Sequence, residues 1–175
     1  MNIFVLDPDP KIAASMHCDQ HLHKMILESA QMLSTLAAHK MPAWYISGNY
    51  YKTTHPKHPC NLWLQKSFAH AKWLVTLCQD LDDIRMSLGA DSHASMAVVN
   101  QFAEDFGSNL TGSPLPEPES FIFCGPALVQ YNSTLTVPQK YQQFYTLKKS
   151  QWESAGRKMT WNGRAVPEFM NGDSK

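Results

Sequence analysis

The sequence predicts a mostly α, single-domain helical bundle with a long first helix and irregular aromatic loops. Three observations carry this. Residues 11 to about 39 contain no Gly or Pro and are rich in Ala, Met and Leu, the composition an uninterrupted helix favours. Between Pro59 and Leu88, residues Trp63, Ser67, His70, Leu74 and Leu77 recur at helical spacing and share one face. The 175 residues suit one domain with its own core.

The elements follow in order. Residues 2–6 (NIFVL) form a strand or an extended segment packed on the core. In DPDP, Asp9 caps the first helix and Pro10 occupies its first turn, where the missing N–H has no partner to lose. Residues 41–59 make an aromatic, proline-punctuated loop. A second helix starts at Pro59, runs to about Leu88 and ends at Gly89. Asp91 caps a third helix, stopped by Gly107. Residues 107–121 lack periodicity and read as a surface loop. Residues 121–131 are ambiguous. Pro138 opens a helix to about Ala155, with Gly156 past its end. The tail KMTWNGRAVPEFM carries aromatic anchors that dock on the core. There are no internal repeats.

No apolar run reaches the length of about 18 residues that a membrane span needs. The start has no basic segment before a long apolar run, so a cytoplasmic location is expected. The four cysteines, Cys18, Cys60, Cys78 and Cys124, are scattered and read as free thiols. Net charge is zero but unevenly placed. Residues 1–78 carry seven Lys/Arg and four Asp/Glu; residues 79–131 carry one and eight; residues 132–175 carry seven and three. Two basic ends could meet to form a nucleic-acid site, or be solvated surface.

Positions i, i+4, i+7, i+11 and i+14 stack on one helix face. In the first helix these are His17, His21, Lys24, Glu28 and Gln31. Apolar residues bound this polar stripe on both sides. Either it faces solvent, with Lys24–Glu28 an ordinary i,i+4 pair, or it lines a cleft, where partial desolvation shifts pKa values toward acid–base work. Cys18 and Asp19 beside the stripe, and His55 and His58 in the loop (HPKHP), favour the cleft.

Three chemistries could use these residues. His17 and His21, joined by His55, His58 or Asp19, could hold a metal for hydrolysis, although H-E-x-x-H is absent. Lys24 could act as nucleophile or acid with Glu28 as base, or as stabiliser of an oxocarbenium-like state. Lys140, Lys148, Lys149, Arg157, Lys158 and Arg164, interleaved with Tyr141, Phe144, Tyr145, Trp152 and Trp161, could track phosphates and stack bases.

Several stretches carry a resemblance. MNIFVLD-x-DP, then HCD-x-H-x-x-KMILE-x-AQML, THPKHPCNLW, AKWL, VPQKYQQFY and W-x-x-R-x-VPEFM resemble small phage-encoded proteins described as pyrimidine-dimer DNA glycosylases. The resemblance implies an all-α fold, DNA as partner and no cofactor. It also implies an amine that attacks the sugar C1′ to give a Schiff base before strand cleavage. By position, Glu28 would be the catalytic carboxylate and His21 a helper. That family uses the α-amine of a small residue exposed once the initiating Met is removed. Here Asn2 is bulky, Met1 is expected to remain, and Lys24 is the alternative amine.

The expected catalytic set is therefore Glu28, Lys24, His21, His17 and His58. The expected substrate-binding set is Gln31, His55, Trp63, Lys148, Lys149 and Arg164. No metal ligand is assigned. The expected function is a DNA-directed enzyme of glycosylase/lyase or pyrimidine base-modifying type. A metal-dependent hydrolase and a non-enzymatic module binding nucleic acid or protein are the alternatives. The sequence does not express an oligomeric state.

Overall fold

The chain folds around a buried first segment. In the computed structural model, which describes residues 1–171, Ile3, Val5 and Leu6 are wholly buried and Phe4 nearly so. The segment belongs to no helix or strand, and the described residues contain helices and no strand. Asn2 Oδ1 accepts the backbone N–H of Ile3 at 2.8 Å. This local turn feeds Phe4 into the left-handed region at φ 37°, strained for a bulky side chain. The strain is held by packing: the Phe4 ring lies between His21, Tyr141, Phe144 and Tyr145.

The elements are α1 (Pro10–Met16), α2 (Asp19–Lys40), α3 (Pro42–Ser47), α4 (Pro59–Lys66), α5 (Phe68–Ser87), α6 (Met96–Asp105), α7 (Gly107–Thr111), α8 (Ala127–Gln130) and α9 (Val137–Ser154). Two 3-10 turns, Pro118–Ser120 and Glu168–Met170, complete them. Helix α5 is the spine: α1, α2, α4, α6 and α7 all pack on it. Helix α9 inserts Tyr141 and Tyr145, both fully buried, beneath the N-terminal segment. The described residues thus form one α-helical bundle, as expected from the sequence. Among the described residues, no helix is long and apolar enough to cross a membrane.

Several boundaries behave as the sequence implies. Asp9 accepts the N–H groups of Lys11 and Ile12. Thr136 and Gln139 form a reciprocal capping box on α9. Gly89 and Gly156, at φ 87° and 70°, take the left-handed backbone past α5 and α9. The tail docks, burying Met159, Trp161 and Met170.

Other boundaries differ. The long first helix is two, because His17 and Cys18 are extended, at ψ 138° and 162°. Tertiary partners take the backbone there: Cys18 N–H donates to Tyr145 Oη at 3.1 Å and Asp19 N–H to the Thr160 carbonyl at 2.8 Å. The second helix breaks at Ser67, whose hydroxyl caps α5 by accepting the Ala69 N–H. The third helix begins at Met96 rather than at Asp91. Gly107 does not end helical structure; it opens α7, which buries Leu110. The aromatic loop contains α3, and residues 127–130 form the single turn α8.

Candidate functional site

The polar stripe divides within α2, between His21 and Lys24. His17 and His21 lie in the core, 0% and 1% exposed. His17 Nδ1 pairs with the Ala13 carbonyl at 2.7 Å, and His21 Nδ1 with Tyr145 Oη at 2.6 Å. Burial lowers His17 to a pKa of about 4 and His21 to about 2. Both are neutral at pH 7; His21 packs against the Phe4 ring, and His17 packs against His21 and Tyr145.

Lys24 and Glu28 are the accessible half. Glu28 sits on the α2 face turned to the start of the chain, its side chain 14% exposed. Three nitrogens converge on its carboxylate. The Asn2 backbone N–H donates to Oε2 at 2.8 Å. The Met1 α-amine lies 3.6 Å from Oε2. Lys24 Nζ lies 3.4 Å from Oε1 and is largely exposed. The nitrogens of residues 1 and 2 therefore both lie near Glu28. Asn2 is tethered on its other side, its amide donating to the Cys124 carbonyl.

His58 borders the same spot. It caps α4, its Nδ1 accepting the Cys60 N–H at 3.2 Å. Its pKa is lowered, first by burial and then by the Met1 ammonium and His55, with Glu28 opposing. His58 also lines an open cleft of about 540 Å3 with Pro59, Ile122, Phe123, Cys124, Gly125 and Gln130. Gly125 is required here, because a Cβ would meet the Phe123 ring at 2.3 Å. The loop that presents His58 is held by Asn61, whose amide donates to the carbonyls of Thr54 and His55. His55 itself is exposed, at φ 46°.

Cations gather on the other flank of Glu28. Lys148 and Arg157 both lie over the Trp152 ring, at 5.5 and 5.3 Å. Lys148 also lies over Phe4 and Phe144. Its pKa is lowered by burial first, then by Lys24, and also by Arg157, while Cys18 and Glu28 raise it. Lys24, Glu28 and Arg157 thus all act on Lys148.

The remaining expected residues are placed elsewhere or serve the fold. Trp63 is 1% exposed, donates Nε1–H to the Ser120 carbonyl and stacks on His70; it is core, with no face for a ligand. Arg164 pairs with Asp19 at 2.7 Å and donates to the carbonyls of Ser15 and His17, so it ties the tail to the α1–α2 break. Lys149 reaches the Met170 carbonyl at 3.5 Å. Gln31 is half-buried on α2, one turn beyond Glu28. Among the described residues, no three His, Cys, Asp or Glu side chains converge as metal ligands. Phe123, Cys124, Gly125 and Gln130, which wall the cleft, are absent from the expected set. Their stretch has no helical period, and the contact that brings Cys124 to Asn2 spans 122 residues.

No protein-family model, curated protein or solved structure matches the chain.

Proposed function

We propose that the chain is a DNA-directed enzyme of the glycosylase/lyase type that works through an amine–carboxylate pair centred on Glu28. The observation that carries this is the convergence of the Met1 α-amine, the Asn2 nitrogen and Lys24 Nζ on one largely buried carboxylate. In the reaction, an unprotonated amine attacks C1′ of the target nucleotide. The glycosidic bond breaks, and the base leaves with the bonding pair and takes up a proton. The carboxylate stabilises the cationic sugar as it forms. The amine's proton passes to a neighbouring base, and His58, whose pKa burial lowers, is suited to take it. The sugar ring opens to a C1′ iminium. Loss of a C2′ proton then expels the 3′-phosphate by β-elimination.

The cations on the Trp152 face give the phosphate backbone a place to bind. Lys24 and Lys148 lie near Glu28, and Arg157 lies near Lys148 over the same Trp152 ring, a grouping that phosphate tracking can use.

An end-labelled duplex bearing one abasic site, and another irradiated with ultraviolet light, test the proposal. The wild-type protein should cut both, and Glu28→Gln neither. Failure of folded wild-type protein to cut either duplex overturns it. Cutting of the abasic duplex alone retains the lyase step and removes the dimer as substrate.

A further inference from the structure

The loop before α4 carries one sign of charge and is held in one shape. Residues 29–79 contain five lysines and no Asp or Glu. Two of the five, Lys52 and Lys57, lie on the loop of residues 51–58, and both are exposed. Neither forms an ion pair among the described residues. His55, between them, takes φ 46°, a left-handed backbone that few residues other than Gly adopt. A free connector would relax out of it. Here the His58 N–H donates to the His55 carbonyl at 2.8 Å and closes a turn over Pro56 and Lys57. The Asn61 side chain donates to the carbonyls of Thr54 and His55 at 2.9 and 2.8 Å, from a residue only 1% exposed. The Thr54 N–H donates to the Thr35 hydroxyl at 3.2 Å. Pro56 and Pro59 hold their own φ fixed on either side of Lys57 and His58. Backbone strain that the surroundings maintain gathers at ligand clamps.

The anchors of this loop tie it to the Glu28 site. Thr35 lies on α2 two turns past Glu28 and on the same face, about 10 Å along the helix axis. Asn61 Nδ2 also reaches Met1 Sδ at 3.6 Å, and the Met1 nitrogen lies 3.6 Å from Glu28 Oε2. We propose that this strained loop is a second phosphate grip, in which Lys52 and Lys57 bind the backbone of the DNA that Glu28 acts on. The inference rests on the DNA reading above and extends it to a new contact surface. Charge and shape name the occupant. Exposed lysines in a stretch without carboxylates suit a polyanion, whereas the cores of protein–protein interfaces are depleted of lysine. A loop already held in place loses little freedom when a phosphate binds. The separation of about 10 Å along α2 corresponds to about three base-pair steps of a duplex. One duplex lying along α2 therefore meets both Lys24, beside Glu28, and the loop. The two lysines add about 1.8 to the log–log salt slope that Lys24, Lys148 and Arg157 supply.

The test is acetylation of lysines in the wild-type full chain, with and without a duplex bearing one abasic site, read by peptide mass. Labelling of Lys52 and Lys57 should fall severalfold when the duplex is bound. Lys57→Ala, a change at an exposed position, should reduce the salt slope of duplex binding by about 1. It should leave the single-turnover rate at saturating DNA unchanged, because Lys57 meets phosphate and not the reacting sugar. Lys57→Arg should restore the slope. Protection of Lys24 and Lys148 while Lys52 and Lys57 label as freely as without DNA overturns the inference and leaves the DNA reading standing. So does a salt slope that Lys57→Ala does not change. Protection of the loop lysines in a protein that cuts no duplex supports the grip and removes the glycosylase/lyase reading. Duplex that protects no lysine overturns both.

Discussion

Glu28 owes its position to Asn2 as much as to its own helix. A carboxylate on α2 would ordinarily point to solvent or pair with Lys24 alone. Here the Asn2 turn and the strained Phe4 bring the start of the chain down onto it. Glu28→Gln keeps the shape and removes the charge. It should lower glycosylase or lyase turnover by about 10²–10⁴-fold, the range for a positioned acid–base group, in single-turnover assays with saturating enzyme. His17 and His21 make a different prediction, one about acid. Their folded-state pKa values, about 4 and about 2, lie below the ordinary imidazole value. The unfolded chain therefore binds more protons below that value, and stability falls as pH drops. The contribution is whole above about pH 6.5 and is lost progressively below it; by pH 4, His17 alone should cost about 3 kcal/mol. Urea unfolding between pH 7 and pH 4 reads this slope, and His17→Gln should flatten it.

At the scale of the element, the break between α1 and α2 matters most, because it sets His17 off from the α2 residues His21, Lys24 and Glu28. It is maintained from outside, by Tyr145, Thr160 and Arg164. Arg164→Ala removes an ion pair and two carbonyl contacts at this joint. It should destabilise the fold by about 2 kcal/mol in urea titration, while leaving DNA affinity of the folded protein unchanged. An equal loss of affinity would mean that Arg164 touches DNA after all. The same joint shows why the sequence is only partly readable. Asp9–Pro10, Thr136–Gln139 and Gly156 act on their own neighbours, so local rules find those boundaries. Nothing between residues 11 and 39 breaks a helix locally; the partners that do so are more than 120 residues away. The candidate site divides in the same way. Lys24 and Glu28 are one turn apart and visible as a pair, and Lys148 stands out as a cation among aromatics. Trp63 sits on the same helical pattern as its core neighbours, and only its burial shows that it belongs with them. Cys124 joins the site through contacts no local pattern encodes.

Over the whole molecule, charge decides how the site meets a polyanion. Net charge is zero, so on the proposed function the attraction to DNA comes from the local grouping of Lys24, Lys148 and Arg157 rather than from a global field. Three phosphate contacts at about 0.9 each give a log–log salt slope near −3 on duplex DNA. Lys148→Ala should reduce that slope by about 1, measured by fluorescence anisotropy across salt. A slope unchanged by Lys148→Ala would place the phosphates elsewhere. The central claim is that an amine resting on Glu28 forms a covalent bond to the sugar, and borohydride trapping tests it most directly. Wild-type protein is mixed with abasic and ultraviolet-treated duplex in the presence of reductant, and the adduct is mapped by peptide mass. The expected result is a covalent adduct on the N-terminal peptide or on Lys24, absent in Glu28→Gln. No adduct from folded wild-type protein on either duplex would contradict the claim.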